Sequence, residues 1–566
     1  MGIQLKNVIY ATTFAIGLWG SLAQSDSLAG SYLAGSNAAM RGDYKAASEY
    51  FADALLRDPS NGFIKHNAML SSLSMGDVAT AISYAKNITL ESQADSHLAD
   101  LLIFIDHIEL GNFDAALNIL NDNQSNYTEL FFGLLTGWTE LGRGKMSVVI
   151  KTFDEMKTTP TLKLFGQYHK ALALATVGDF EAADKILIGD ESGTLRLTRG
   201  SLVAHAQIMA ELGRKDDALK LINRTILNGR DPELEQLRKN IINETSNYDY
   251  ITNAQQGIAE VLFTLAFALN GPENEQTSLL YGRLSQELRP DNVETILLTS
   301  ELLRDQKQYD LAIKNYTKIP QSHGLFLNAA LGRADTLVEA GRPDAAVELL
   351  RDLIRSHVDN PRIYMSLGDV FRGKKKYSAA RNAYDKALTL IDEPDLSHWF
   401  LFYVIGICNE RLDNWPRAEM NFRIALKLAP DQPLILNYLG YTMVEKNQNL
   451  EEAQMMIEKA VAARPDSGFI IDSLGWSLFT LGKFEGAVGP MERAVKLLPD
   501  DSIVNDHLGD VYWKVGRKRE ANFQWRRAIS FGPADKELIR IRRKLEIGLD
   551  AVQAEEAIVD VQPGVQ

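Results

Sequence analysis

Five glycines toward the C-terminal end, Gly368, Gly406, Gly440, Gly475 and Gly509, lie 38, 34, 35 and 34 residues apart. Twelve residues after most of them stands an alanine: Ala380, Ala418, Ala487 and Ala521, with Ala453 one residue late. A second alanine follows seven residues later in every unit: Ala387, Ala425, Ala460, Ala494 and Ala528. Prolines close the units at Pro430, Pro465, Pro499 and Pro533, and Pro394 closes the first slightly late. This period predicts a stack of helix pairs. A small residue in the first helix lets the second cross close to its backbone, and the two alanines do the same from the second helix. Proline ends the second helix, because it lacks the N–H and clashes with the preceding turn. Leu367, Ile405, Leu439, Leu474 and Leu508 precede the glycines, and Tyr384, Phe422, Ile457, Met491 and Trp525 sit between the alanines. These large side chains fill the volume the small ones leave. No pair buries its apolar face alone, so several must stack.

This spacing of Leu-Gly, Ala, a large apolar residue, Ala and Pro resembles the tetratricopeptide repeat family. The resemblance implies an all-α fold, a right-handed α-solenoid of helix pairs. Gly35, Gly42, Ala47, Phe51, Ala54 and Pro59 give a further unit near the N-terminus. Between the two ends only the turn signature recurs, as at Gly76-Asp77, Gly111-Asn112-Phe113, Gly178-Asp179-Phe180, Gly213-Arg214 and Gly341-Arg342. The expected map is a signal peptide over 1–23, a degenerate N-terminal solenoid over 24–247 and a C-terminal solenoid over 248–548. Its clearest repeats are 361–394, 399–432, 433–467, 468–501 and 502–535. An irregular stretch, 245–256, forms the joint, and 549–566, with Pro563, Gly564 and four acids, is a disordered acidic tail.

The first residues read as a secretory signal. Lys6 supplies the positive n-region, 8–19 is apolar and uncharged, and Ser21, Leu22 and Ala23 put small residues at a cleavage site. The apolar run is too short for a comfortable membrane span, and no cysteine follows it to carry a lipid. Cleavage would start the chain at Gln24, periplasmic or secreted and without a transmembrane span. An uncleaved anchor and a buried first helix are the alternatives. The composition is globular, 45% hydrophobic and 24% charged. With 60 basic against 74 acidic residues the net charge is −14, which disfavours nucleic acid and anionic lipid as general partners. Cys408 is the only cysteine, so there is no intramolecular disulfide and no cysteine-rich zinc site.

No motif for catalysis emerges. The nine histidines are scattered, without the spacing of a zinc protease. Gly142-Arg143-Gly144-Lys145 is followed by Met146 rather than Ser or Thr, and reads as a turn between helices. Ser477 after Trp476 lacks the second glycine of a nucleophile elbow. The chain is expected to be no enzyme and to need no cofactor or metal.

Two surfaces remain. The resemblance implies a ligand groove along the first helices. Its positions fall on Arg362, Met365, Asp369, Arg372 and Phe400, and then on Tyr403, Asn437, Tyr441, Glu445, Asp472, Trp476, Phe479, Asp506, Asp510 and Trp513. Tyr and Trp among Asp and Asn suit a peptide with apolar anchors and a few basic groups, unless these rings only pack between repeats. Acids at Asp472 and Asp506 depart from the Lys and Asn with which some family members hold a C-terminal carboxylate. The second surface is a basic patch of Lys514, Arg517, Lys518, Arg519, Arg526, Arg527, Lys536, Arg540, Arg542, Arg543 and Lys544. Against four acids it gives 512–546 a charge of 11 − 4 = +7. It reads as a polar cap, as a site for an acidic protein or anionic envelope component, or as a nucleic-acid site. Residues 434–528 look like secreted bacterial repeat proteins of the type that scaffold a carboxyl-terminal processing protease. That resemblance implies a non-enzymatic scaffold or adaptor in the bacterial cell envelope, with a partner such as an envelope protease or assembly factor. The alternative is an envelope tether acting through the basic end.

Overall fold

The computed structural model of the protein describes residues 27–88, 93–156, 159–189, 198–226 and 231–560. The expected signal peptide, 1–23, lies outside them. Among the described residues there are 31 α-helices and no strand. No helix there is long and apolar enough to cross a membrane. The chain divides into two compact units, Met1–Arg342 and Pro343–Gln566.

In the second unit the repeat reads out as drawn from the sequence. The pairs are Pro361–Gly373 with Tyr377–Thr389, Trp399–Glu410 with Trp415–Leu428, Pro433–Glu445 with Leu450–Ala463, Gly468–Thr480 with Phe484–Leu497, and Ser502–Lys514 with Lys518–Ser530. All ten repeat alanines are fully buried, and Tyr384, Phe422, Ile457, Met491 and Trp525 are at most 1% exposed. Each glycine of the first helix is the seat of the large residue opposite. A Cβ on Gly368 would come within 2.4 Å of the Tyr384 ring, on Gly406 within 2.6 Å of Phe422, on Gly475 within 2.6 Å of Met491, and on Gly509 within 2.5 Å of Trp525. Burying each large side chain contributes about 1.5–3 kcal/mol, which one helix pair could not supply without its neighbour.

The turn seven residues after each glycine is left-handed, at Lys375, Asp413, Asn447, Gly482 and Gly516. In the third pair Asn449 adds a second left-handed residue. It takes up one extra residue and explains why Ala453 stands one position late.

The first unit begins with six helix pairs, from Leu28–Met40 with Tyr44–Arg57 to Arg199–Glu211 with Lys215–Ile226, and then a single helix, Pro232–Ile242. The expected joint, 245–256, is irregular only to 253, where a helix starts at Ala254; it is not a joint between solenoids, and the boundary between units falls at 342/343 rather than 248. The reason is packing. Ile251 is fully buried, its carbonyl accepts from Thr176 Oγ1 at 3.0 Å, and the Tyr248 N–H donates to Glu211 Oε1 at 2.8 Å. The next pair, Ala254–Ala268 with Glu275–Leu288, then packs back on the earlier repeats. Helix Ala254–Ala268 lies on Glu129–Gly142 and Pro160–Thr176, and helix Glu275–Leu288 lies on Gly62–Met75, Val78–Lys86 and Gln93–Glu109. A Cβ on Gly257 would be 2.1 Å from the Trp138 ring. Trp138 Nε1 donates at 3.0 Å to His169 Nδ1, and burial pushes His169 down to about 3, which keeps that nitrogen an acceptor. Arg283 Nε and Nη2 donate to the carbonyls of Ser74 and Met75, at the C-terminal end of Gly62–Met75.

The tail is also ordered further than its composition suggested. Leu549–Asp560 is helical, with Leu549 and Val552 buried. Three of its acids are held by bases of the preceding elements: Asp550 by Lys514 at 2.6 Å, Glu555 by Arg543 at 2.9 Å and Glu556 by Arg540 at 2.7 Å. Those ion pairs and the two apolar contacts turn an acidic segment into a docked helix. Residues 561–566 lie outside the described part.

Candidate partner-binding surface

The first helices of the second unit present one residue row per turn, and the expected groove positions sort into three groups. The middle repeats keep theirs partly open. Tyr403 is half-buried among Trp399, Phe422 and Tyr438, with ring centroids 5.9–6.2 Å away. Tyr441 is half-buried, and its hydroxyl hydrogen-bonds Glu445, which is exposed. The Asn437 side-chain oxygen has no hydrogen-bond partner. One repeat earlier, Arg372 donates to Tyr384 Oη at 3.2 Å and to Asp369 at 3.1 Å. Arg362 and Phe400 are exposed, and Met365 is half-buried.

The second group is committed within the fold. Trp476 is stacked on both faces, against Phe479 at 4.8 Å and against His507 at 3.9 Å, with interplanar angles of 12° and 17°. Phe479 is 7% exposed and belongs to the core. His507 Nδ1 lies 3.1 Å from both oxygens of Asp472. Burial alone would lower His507, but the Asp472 charge and hydrogen bond outweigh it and hold the imidazole above its ordinary value.

The third group is closed by the end of the chain. Lys544, on helix Asp535–Ile547, is fully buried. Its Nζ donates to both oxygens of Asp506 at 2.8 Å and of Asp510 at 2.7 Å. Asp510 also accepts from Trp525 Nε1 at 2.9 Å. Burial raises Asp510 above the usual aspartate value, working against the ammonium beside it. Trp513 donates its Nε1 to Asp550 at 2.9 Å, and a Cβ on Gly548 would meet its ring at 2.4 Å. The acidic groove end and part of the basic patch are therefore two halves of one ion cluster. The sequence carried a signal for it: Asp506 and Asp510 share a helix face at i, i+4, and Lys544 follows about one repeat later.

The rest of the patch is mixed. Arg517 pairs with Glu492 and Glu520, Lys514 with Asp550, and Arg543 with Glu546 and Glu555. Arg527 donates to the carbonyl of Pro499 at 2.8 Å, and Lys518 Nζ stands 4.7 Å over the Trp513 ring. Arg519, Arg526 and Arg542 form no ion pair among the described residues, and Lys536 lines a small cleft with Ser502 and His507. No group of three or more His, Cys, Asp or Glu able to hold a metal occurs among the described residues. Cys408 is buried, which pushes its thiol up to about 11.

Comparison with known proteins agrees with this architecture. Residues 331–393 match the tetratricopeptide repeat family. The chain is 30% identical over 188 residues to a TPR repeat-containing protein of Pseudomonas aeruginosa, covering 33% of this chain and 31% of that protein. It is 22% identical over 203 residues to tetratricopeptide repeat protein 8 of Caenorhabditis elegans, covering 36% and 39%. The chain thus spans about a third of the length of the curated relatives it matches. Among solved structures, a chain of the APC/C hetero-tetramer Cut9–Hcn1 aligns over 91% of this chain and 95% of its own, at 16% identity and a TM-score of 0.39. The periodic helix pairs and the glycine seats of their large residues show an all-α solenoid of tetratricopeptide-type helix pairs among the described residues, within which 331–393 match the family itself.

Proposed function

We propose that the protein is a non-enzymatic interaction scaffold that holds a protein or peptide on the first-helix face of its second unit, between helices Pro361–Gly373 and Gly468–Thr480. One observation carries this reading: within the second unit, it is the stretch of first helices on which no described element beyond the repeats themselves packs. In the first unit, helices Ala254–Ala268 and Glu275–Leu288 pack on the earlier repeats, and in the second unit helix Asp535–Ile547 closes the acidic end. The open stretch offers Tyr403, Tyr441 and the Asp369–Arg372 and Glu445 charges, with the half-buried Asn437 side chain beside them. These suit a segment with an apolar anchor and mixed polar groups.

Residues 1–23 support a site of action outside the cytoplasm, where a scaffold for an envelope protease or assembly factor would work. N-terminal sequencing of the native protein should begin at Gln24, and an intact Met1 in a cytoplasmic fraction would refute that placement. The tethering alternative retains Arg519, Arg526 and Arg542 as free bases. The decisive experiment is affinity capture from envelope extract with Asn437→Ala/Tyr441→Ala beside the parent. The variant should lose its partner while circular dichroism and melting stay unchanged. Undiminished capture would remove the groove assignment.

A further inference from the structure

We propose that the second unit carries two complementary faces through which one copy of this chain binds the next, head to tail. The first face is an edge. Phe400, Leu434, Phe469 and Ile503 each occupy the second residue of a first helix, at intervals of 34, 35 and 34. They are 37%, 48%, 61% and 53% exposed, in helices whose other large apolar side chains are mostly covered. Equivalent positions in stacked repeats form a row, so these four make one apolar ladder. The loops leading into the helices, 391–398, 429–432, 464–467 and 498–501, hold seven carboxylates against Arg464 alone. Three bases of the second helices also reach these loops, but they are already engaged: Lys459 on Asp431, Arg493 on the Pro465 carbonyl and Arg527 on the Pro499 carbonyl. The edge is apolar and acidic.

The second face is the opposite in charge and lies on helix Lys518–Ser530. Ala521, Trp525 and Ala528 point inward. Arg519, Phe523 and Arg526 follow at spacings of four and three, which puts them on the outward stripe. Phe523 is 73% exposed, and helix Asp535–Ile547 adds Ile539, 69% exposed, and Arg542. Arg519, Arg526 and Arg542 are among the bases of this end that form no ion pair with a described acid. Exposed apolar side chains rimmed by charge mark interaction surfaces. An apolar–acidic ladder and an apolar–basic stripe on one molecule satisfy each other without any further partner. Because the two patches differ, the contact is heterologous and can extend into rings or filaments. It uses the first turns of the first helices and the outer face of the last repeat, shares only Phe400 with the expected groove positions, and does not depend on the function proposed above.

Sedimentation velocity of the full chain tests this, from about 1 to about 100 µM protein, in about 50 and about 500 mM salt. Low salt should give species that grow with concentration, and high salt should weaken the association about tenfold or more. Phe469→Asp disables only the ladder and Phe523→Asp only the stripe, so each variant alone should remain monomeric with unchanged circular dichroism and melting. Mixed together they should form a one-to-one dimer that grows no further, since each retains the face the other lacks. If either variant loses helix, Leu434→Asp and Arg526→Glu take their places. A parent chain that stays monomeric throughout assigns the faces to other proteins and overturns the proposal. Association that survives both substitutions, or a mixture that does not dimerise, overturns it equally.

Discussion

Lys544→Met isolates the ion cluster that closes the last repeat. The side chain keeps its length and loses its charge, so packing changes little. Asp506 and Asp510, 9% and 0% exposed, are then left without the ammonium that donates to their four oxygens. Removing one partner of a buried ion pair costs about 3–5 kcal/mol. Arg540 Nη1 remains 3.6 Å from Asp510 and 3.9 Å from Asp506, so the lower end, about 3 kcal/mol at pH 7, is expected. The pH dependence carries a sign. In the variant the burial that already raises Asp510 acts without the ammonium to oppose it, so the folded state holds a proton the unfolded state releases. The penalty is therefore full at neutral pH and shrinks as pH falls toward about 4. Hydrogen exchange of 502–560 at pH 7 and pH 5, with urea midpoints alongside, reads both the size and the location. Adding Asp506→Asn and Asp510→Asn to the variant should restore most of the loss. A cost below about 1 kcal/mol, or one that is flat with pH, would refute the cluster as the lock of this end.

Glu260 is fully buried between the hydroxyls of Tyr168 and Tyr250, at 2.7 and 3.1 Å, and burial raises it from 4.5 to about 7. A raised folded value gives stability that is complete below about 4.5 and lost as pH climbs through about 7, about 3 kcal/mol in all. Urea midpoints of the first unit from pH 5 to 9 should show this fall, and Glu260→Gln should flatten it. Gly257→Ala forces a methyl into the Trp138 ring and should destabilise the first unit by about 2 kcal/mol or more, with exchange in the second unit unchanged. Trp476→Ala breaks a stack covered on both faces and should lower the melting of the last repeats by about 2 kcal/mol or more; a variant that melts like the parent would return Trp476 to the groove.

The repeat itself was legible because close packing writes it locally. Gly475 and Met491, or Gly509 and Trp525, stand sixteen residues apart in one pair, and each predicts the other's size. What escaped sequence reasoning depends on distance along the chain. Gly257 and Trp138 belong to different helix pairs, and their contact folds a segment read as the start of a second solenoid into the first unit. Asp506 and Asp510 carry the same letters whether they face a ligand or Lys544. Trp476 sits at a groove position, yet His507 from the next repeat covers one of its faces. The segment 549–560 is acidic enough to pass for a loose tail; only the bases at Arg540, Arg543 and Lys514 reveal where its charges go. Asn437 and Tyr441, expected at groove positions, are half-buried, and the capture experiment tests whether they hold a ligand.

The return of helices Ala254–Ala268 and Glu275–Leu288 onto the first repeats also sets an order of events during synthesis. Pairs of the second unit touch mainly their neighbours and can add one after another as they emerge. The first unit cannot finish that way. Trp138 leaves the ribosome 119 residues ahead of Gly257, and Tyr44 leaves 262 ahead of Gln306, whose side chain accepts its hydroxyl at 2.7 Å. At about 5–20 residues per second, the apolar face around Trp138 and Phe131 stays uncovered for roughly 6–24 s. During that interval the nascent chain is a half-built sheath with its lining exposed, the point at which a holding chaperone, or a second nascent copy, meets the most apolar surface this protein ever shows.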